Sequence, residues 1–188
     1  MTSLFCLKFN RLCFSIVVTC IVLFLPKILF SQHSFHSGFD KNEYLELLKI
    51  SSQQYDTTYR PMGIGKPEKF KLLYRSKEIG FSNMWDLWIS DDSCAVISIR
   101  GTIGTSKSWL SNLYSAMLPA EGSILLPNHK TETYYKLASD KKASVHSGWL
   151  FSMLILAEEI VPELTGISKL GYSNVYIFGH SQGGGIAF

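Results

Sequence analysis

The feature that most constrains this chain is residues 174–188, which read NVYIFGHSQGGGIAF. An apolar run leads into Gly-His-Ser-Gln-Gly and then into small residues. The apolar run predicts a short parallel strand that is buried on both faces. Glycine at 179 and 183 permits a sharp turn in which a Cβ atom would collide with neighbouring backbone. The stretch therefore predicts a strand, a tight turn carrying Ser181, and a helix packed closely against a sheet.

A serine at such a turn is a candidate nucleophile. Serine hydroxyls react poorly until they are positioned and deprotonated, and a strained turn supplies the positioning. The backbone N–H of Gln182 would then bind the oxyanion that forms when Ser181 attacks a carbonyl, helped by the start of the following helix. The alternative is a glycine-rich turn that contains a serine by chance. The strand before the turn and the small residues after it argue against that alternative.

A second oxyanion donor is expected at the end of an earlier strand. Residues 94–101 read CAVISIRG, which predicts an apolar strand ending at Gly101, and Thr102 follows. Thr102 offers both its backbone N–H and its hydroxyl. Taken alone, Arg-Gly-Thr is an ordinary strand-ending turn, and it is Ser181 that favours the functional interpretation. The neighbouring GTIGTSKS is not interpreted as a phosphate loop, because it lacks the adjacent glycine and lysine.

The first segment with helical periodicity covers residues 40–55. Asp40 and Glu43 have the spacing of a capping box. The period predicts one mostly apolar face, made of Tyr44, Leu47, Leu48, Ser51 and Tyr55.

The order of the remaining elements indicates the fold class. Three strands are predicted within residues 71–101, joined by short polar turns that favour antiparallel pairing. Helices are predicted at residues 102–113 and 148–161, the second kinked or ended by Pro162. Residues 114–144 show no clear pattern. Helices, strands and a final buried strand in this order predict an α/β domain.

The first 31 residues predict a signal peptide. Lys8 and Arg11 precede an apolar run at residues 12–25, which is short for a membrane span. Cleavage is expected after Ser31, and the protein is then secreted or exported. The alternative is an uncleaved membrane anchor.

Charge and cysteine content exclude other classes of protein. The 18 Lys and Arg residues exceed the 15 Asp and Glu residues by three, and three of these cations lie in the first 31 residues. The remainder is therefore neutral and offers no basic surface for nucleic acid. Beyond that segment Cys94 is the only cysteine, so neither an internal disulfide nor a cysteine metal site is expected. Its place before an apolar strand predicts a buried core residue.

Three motifs occur in order along the second half of the chain: VISIRGT, VHSGW and VYIFGHSQGG. Together with SWLSNL after the first, they resemble the class 3 lipases, the fungal-lipase-like branch of the α/β-hydrolases. The resemblance implies that Ser181 is the nucleophile and that Thr102 and Gln182 are the oxyanion donors. It implies supporting roles, and no general base, for the other motif members: Gly101, His146, Gly179, His180 and Gly183.

The resemblance also implies an esterase or lipase that acts on lipids or other esters, at a lipid–water interface, with no metal and no cofactor. One position departs from the family pattern, because the family usually has leucine where this chain has Gln182. The backbone donor survives that change, whereas the acyl pocket and the substrate preference are expected to differ. Residues 117–127, MLPAEGSILLP, belong either to an interfacial lid or to the core.

The general base is expected outside this sequence. In α/β-hydrolases the serine precedes an Asp or Glu and then a His, whereas all five histidines here precede Ser181. Using His146 would require a different triad order. We therefore expect residues 32–188 to be the N-terminal part of a single, incomplete α/β-hydrolase domain that ends just after the nucleophile turn. The parent protein is expected to be active and the fragment inactive.

Two other functions stay open at this point. The same nucleophile serves acyl transfer or amide cleavage on the same fold, since the acceptor is chosen by pocket residues. A catalytically dead hydrolase would instead be an exported binding protein, although an intact Ser181 with both oxyanion elements argues against it. The sequence gives no indication of oligomeric state.

Overall fold

The computed structural model describes residues 35–55, 63–127 and 129–188, so the predicted signal peptide lies outside the described residues. The described elements follow in this order: α1 (Lys41–Ser52), β1 (Phe70–Arg75), β2 (Trp85–Ser90), β3 (Cys94–Ile99), α2 (Ser106–Leu113), β4 (Met117–Pro119), β5 (Glu121–Ile124), β6 (Thr133–Lys136), β7 (Ser144–His146), α3 (Ser147–Lys169), β8 (Asn174–Gly179) and α4 (Gln182–Ala187). None of the described helices is both long enough and apolar enough to cross a membrane.

A four-stranded sheet in the order β1-β2-β3-β8 forms the centre of this part of the chain. The first three strands pair antiparallel, as the short polar turns predict. β8 runs parallel to β3, with Ile99 opposite Gly179. Because parallel strands end at the same edge of a sheet, the residues that follow them, Thr102 and Ser181, emerge side by side. The mixed sheet with helices packed against it confirms the predicted α/β class.

Alternating residues of the central strands build a core on each face of the sheet. On one face Trp85 and Ile97 pack against Leu156 and other residues of α3. On the opposite face Val96 and Cys94 pack with Ile50 of α1. Cys94 is fully buried, as predicted. The two-residue period of the strands thus places one helix on each face.

β8 is less buried than the sequence predicts. Val175 packs into the α3-facing core, and Tyr176 and Phe178 pack into the opposite core. Among the described strands, however, only β3 pairs with β8, and Ile177 is 46% exposed. The prediction of burial on both faces is wrong for the described part of the chain, because no described element covers the outer edge of this strand.

The start of α1 agrees with the sequence only in part. The Asp40 carboxylate accepts the backbone N–H groups of Asn42 and Glu43, as a helix cap does. The Glu43 carboxylate does not complete the capping box. It accepts the backbone N–H of His36 instead, at 3.1 Å. The helix ends at Ser52, short of the predicted end at residue 55.

The apolar face predicted for α1 is buried only in part, since Leu47 packs into the core around Ile50. Tyr44 is 54% exposed, while Gln54, just beyond the helix, is buried. The Gln54 side chain donates to the Ser98 backbone oxygen at 2.8 Å and accepts from the Ser98 hydroxyl at 3.0 Å. The sheet-facing side therefore combines apolar Ile50 with the hydrogen-bonded Gln54 just beyond the helix, and apolar periodicity alone does not identify such a polar contact.

α3 is longer than predicted and passes through Pro162 without ending there. Pro162 is exposed, and the next helical turns bring Leu164 and Ile167 onto the α3-facing core. This burial offsets the hydrogen bond that proline removes. The helix ends before Gly171, whose φ of 91° is a common stop for a helix.

Residues 114–144 have no clear sequence pattern, yet residues 117–146 contain two small antiparallel sheets. β4 pairs with β7 and β5 pairs with β6. Leu126 and Tyr135 pack there against Leu150 and Leu154 of α3. This packing favours the core interpretation of residues 117–127. Strands of three or four residues are too short for a two-residue period to be recognised.

Candidate active site

Ser181 occupies the turn between β8 and α4. Its backbone has φ 54° and ψ −122°, a conformation that L-residues rarely adopt. The turn is closed by the N–H of Gly183, which donates to the His180 oxygen at 3.0 Å, and by the N–H of Gly184, which donates to the Ser181 oxygen at 2.9 Å. The side chain of Ser181 is exposed. The structure thus has the strained turn that the sequence predicts.

The glycines of this turn have no room for a side chain. A Cβ atom on Gly179 would lie 2.2 Å from the carbonyl carbon of Gly183, and one on Gly183 would lie 2.2 Å from the Ile99 oxygen. A Cβ atom on Gly185 would lie 2.5 Å from the ring of Trp149. These close approaches allow α4 to pack directly on the end of β3 and on α3.

The loop after β3 touches the Ser181 turn. A Cβ atom on Gly101 would lie 2.4 Å from the His180 oxygen, so the two backbones are in contact. Within the described part of the chain, neither the Thr102 N–H nor the Gln182 N–H donates to an acceptor. Two backbone donors are therefore unused beside the Ser181 hydroxyl.

A series of side-chain hydrogen bonds connects Trp149 to the two residues that carry these donors. The Trp149 indole N–H donates to Asn112 Oδ1 at 3.2 Å, and Asn112 Nδ2 donates to Thr102 Oγ1 at 2.9 Å. The Thr102 hydroxyl donates in turn to Gln182 Oε1 at 2.8 Å. Sequence reasoning did not assign a role to Trp149 or Asn112. Both lie in segments that carry the family resemblance, and no local pattern marks their side chains.

His146 supports this chain of bonds from the start of α3. Its Nδ1 accepts the Trp149 backbone N–H at 3.4 Å, and its ring stacks on the Trp149 ring with 4.6 Å between centroids. His180 instead makes an edge contact with the ring of Tyr55. Neither histidine is hydrogen-bonded to Ser181 in the described part of the chain.

A cavity of about 280 Å³ opens beside Ser181. It combines apolar side chains with hydroxyl groups, and half of its wall comes from α1 and the residues around it. Its lining residues are Leu48, Ser51, Ser52, Tyr55, Ile64, Thr102, Ile103, Gly104, His180 and Ser181. The predicted apolar face therefore lines this cavity in part, through Leu48, Ser51 and Tyr55.

Tyr55 joins α1 to the loop after β3. Its hydroxyl oxygen accepts the Gly101 backbone N–H at 3.0 Å. Burial raises the pKa of Tyr55, against the opposing effects of this hydrogen bond and of the Arg100 charge. The hydroxyl therefore stays protonated near neutral pH. Among the described residues, no group of three or more His, Cys, Asp or Glu side chains is placed to hold a metal ion.

Several solved structures that resemble this fold are fungal lipases. A fungal lipase–inhibitor complex, described as a model for interfacial activation, matches with a TM-score of 0.54 at 17% identity, over 78% of this chain and 52% of that one. The native propeptide complex of Rhizomucor miehei lipase matches with a TM-score of 0.52 at 19% identity, over 83% and 49%. Rhizomucor miehei triacylglyceride lipase matches with a TM-score of 0.50 at 20% identity, over 78% and 51%. The chain thus spans about half the length of these lipases.

A comparison with curated protein sequences gives no match. A family comparison does: residues 96–188 match the family described as lipase (class 3). The matched residues run from within β3 to α4 and include both loops that meet at Ser181. On this match and on the shared fold, residues 96–188 belong to the class 3 lipases of the α/β-hydrolase fold.

Proposed function

We propose that the protein is an exported serine hydrolase that cleaves carboxylic esters, with lipids as its substrates. The position of Ser181 carries this proposal. Its hydroxyl is exposed on a strained turn, at the wall of a cavity that Thr102 also lines. Membership of the class 3 lipases supports an ester bond as the target.

The reaction would proceed through an acyl-enzyme. Ser181 Oγ bonds to the ester carbonyl carbon while its proton passes to a general base. The resulting oxyanion accepts hydrogen bonds from the backbone N–H groups of Thr102 and Gln182. The bond to the alcohol oxygen then breaks, and the alcohol takes the proton from the base. Water attacks the acyl carbon by the same route and restores the serine.

The base in this scheme is a histidine that the described residues do not bring to Ser181. His146 accepts a hydrogen bond from Trp149, and His180 contacts Tyr55, so each already has another role. Among the similar structures is a triacylglycerol lipase whose catalytic centre is described as a serine protease triad. We propose the same arrangement for the complete protein, and the scheme needs neither a metal nor a cofactor.

The cavity walls suggest where the acyl chain lies. Leu48, Ile64 and Ile103 provide an apolar surface next to Ser181. An acyl chain on this surface leaves the ester carbonyl at the turn, where the two backbone N–H groups are unused.

An exposed apolar helix stands close to the same site. Trp109, Leu110 and Leu113 of α2 are exposed, although large apolar side chains are usually buried. Asn112 of the same helix is hydrogen-bonded to Thr102. We propose that this face of α2 contacts the lipid surface that presents the substrate.

The test uses the protein expressed from its complete reading frame. A soluble p-nitrophenyl ester and a serine-directed fluorophosphonate probe report on turnover and on the nucleophile. Ser181→Ala should abolish labelling and lower hydrolysis by at least about 10³-fold. Ser173→Ala is the matched control, because Ser173 is exposed at the opposite end of β8.

Labelling that survives Ser181→Ala would overturn the assignment of the nucleophile. A wild-type protein that is neither labelled nor active would favour the binding-protein alternative. Export is tested separately by N-terminal sequencing of the protein from the culture medium. We expect a start at Gln32, and an intact N-terminus in the membrane fraction would favour the anchor.

A further inference from the structure

The side chain of Gln182 contacts the proposed oxyanion site although only its backbone has a role in the mechanism above. It is 5% exposed, and its Oε1 accepts from the Thr102 hydroxyl. Its Nε2 is buried and has no hydrogen-bond partner among the described residues. Burying an amide with a single hydrogen bond costs free energy of folding, because its NH₂ group loses its bonds to water. The hydrogen bond from Thr102 is therefore the interaction that the Gln182 side chain makes in return.

The direction of each hydrogen bond in this series follows from its first donor, the indole N–H of Trp149. An indole N–H only donates, so the atom of Asn112 that faces Trp149 is its oxygen. Asn112 consequently turns its NH₂ group toward Thr102 Oγ1, which accepts.

A threonine hydroxyl has one proton, and here that proton is directed to Gln182 Oε1. The hydroxyl oxygen already accepts from Asn112. In this arrangement the Thr102 hydroxyl has no proton left to offer to a ligand in the cavity.

We infer that Gln182 is a positioning residue that holds the Thr102 hydroxyl proton away from the oxyanion. This inference rests on the proposed function. Only the two backbone N–H groups are then ready when the oxyanion forms. Recruiting the hydroxyl as a third donor requires breaking its bond to Gln182, which leaves a buried amide with no partner. The side chain of Gln182 thus limits turnover at this site.

Gln182→Leu tests this inference because leucine removes the acceptor and frees the hydroxyl proton. One oxyanion donor contributes about 10²–10³ in turnover, and its release from a competing bond should recover part of that factor. We expect kcat to rise about tenfold with KM nearly unchanged, because the hydroxyl stabilises the transition state more than the bound ester. Gln182→Met, which keeps the length of the side chain, should give the same gain.

Rates are measured per active site, by titration of the complete protein with the fluorophosphonate, so that misfolded molecules do not count. Adding Thr102→Val to Gln182→Leu should remove the gain, since valine has no hydroxyl. A kcat equal to or below that of wild type in both single variants would overturn the inference, because it would mean that Gln182 supports the donor. A gain that persists in the double variant would overturn it too. Failure of the proposed function is distinct, since the wild-type protein would then take no label.

Discussion

At the scale of single residues, the Ser181 turn depends on glycines at positions where the neighbouring backbone leaves no room for a side chain. In Gly183→Ala, the new Cβ atom would meet the Ile99 backbone oxygen at 2.2 Å, where nothing flexible can yield. We expect this substitution to lower the free energy of unfolding by about 3 kcal/mol and to reduce labelling of Ser181. Urea denaturation followed by tryptophan fluorescence measures the loss of stability.

Gly166→Ala is the matched control for Gly183→Ala. Gly166 lies in α3, and a Cβ atom there meets nothing within 4 Å. Alanine in an exposed helical position should raise the free energy of unfolding by about 0.5–1 kcal/mol. Equal losses in the two variants would mean that the close approach at Gly183 does not explain its glycine.

The buried thiol of Cys94 should make stability fall in alkaline solution. Burial, with a smaller effect of the Asp92 charge, raises the pKa of Cys94 from 9.0 to about 12. Below pH 9 the thiol is neutral in both states, and between pH 9 and 12 it ionises in the unfolded chain first. The free energy of unfolding should therefore decline more steeply above pH 9 in the wild type than in Cys94→Ala. Parallel pH profiles for the two proteins would contradict the shift.

Residues of the site differ in how far they can be predicted from sequence. Ser181 and its glycines are predictable because a strand, a tight turn and a helix impose their own local requirements. Asn112 and Trp149 are not, because each acts through a partner on another element. The conformation of the Gln182 side chain cannot be predicted from the sequence either, since it depends on the Thr102 hydroxyl, 80 residues earlier.

At the scale of elements, α2 is predicted to matter more for a lipid surface than for dissolved substrate. Leu113 is 71% exposed on this helix. Leu113→Ser should lower activity on an emulsified triglyceride by about tenfold and leave hydrolysis of a soluble ester nearly unchanged. Comparing the two substrates separates interface binding from chemistry.

Leu170→Ser is the control for this prediction. Leu170 is 70% exposed, and it lies just after α3, near the end of β8 that is opposite to Ser181. Its loss should affect neither substrate. Equal effects of the two substitutions on the emulsion would show that general surface hydrophobicity, and not α2, governs adsorption.

Element boundaries were predictable where local signals and packing agree. β2 and β3 alternate between the two cores, and the polar turns predict the antiparallel pairing of the first three strands. The end of α3 was not predictable from Pro162, because Leu164 and Ile167 continue to pack beyond it. At the end of α1, Gln54 is buried through hydrogen bonds to Ser98 of β3, and periodicity does not reveal such a contact.

At the scale of the whole molecule, parallel pairing of β3 with β8 brings together residues that are far apart in sequence. The register of these strands places the loop with Thr102 beside the turn with Ser181. The sequence predicts both strands and their apolar character. It does not reveal that α1, more than a hundred residues before Ser181, would form a wall of the same cavity.

This contribution of α1 can be tested through chain-length preference. Leu48 is 45% exposed and lines the cavity beside Ser181, whereas Leu45 is 43% exposed on the same helix and does not line it. Leu48→Trp would fill part of the space that we assign to the acyl chain. We expect kcat/KM for a decanoate ester to fall by at least about tenfold relative to an acetate ester, because the longer chain loses its apolar surface. Leu45→Trp adds the same bulk outside the cavity and should leave that ratio unchanged. A ratio that shifts equally in both variants would mean that the acyl chain lies elsewhere, and that α1 affects the site only through the packing of the sheet.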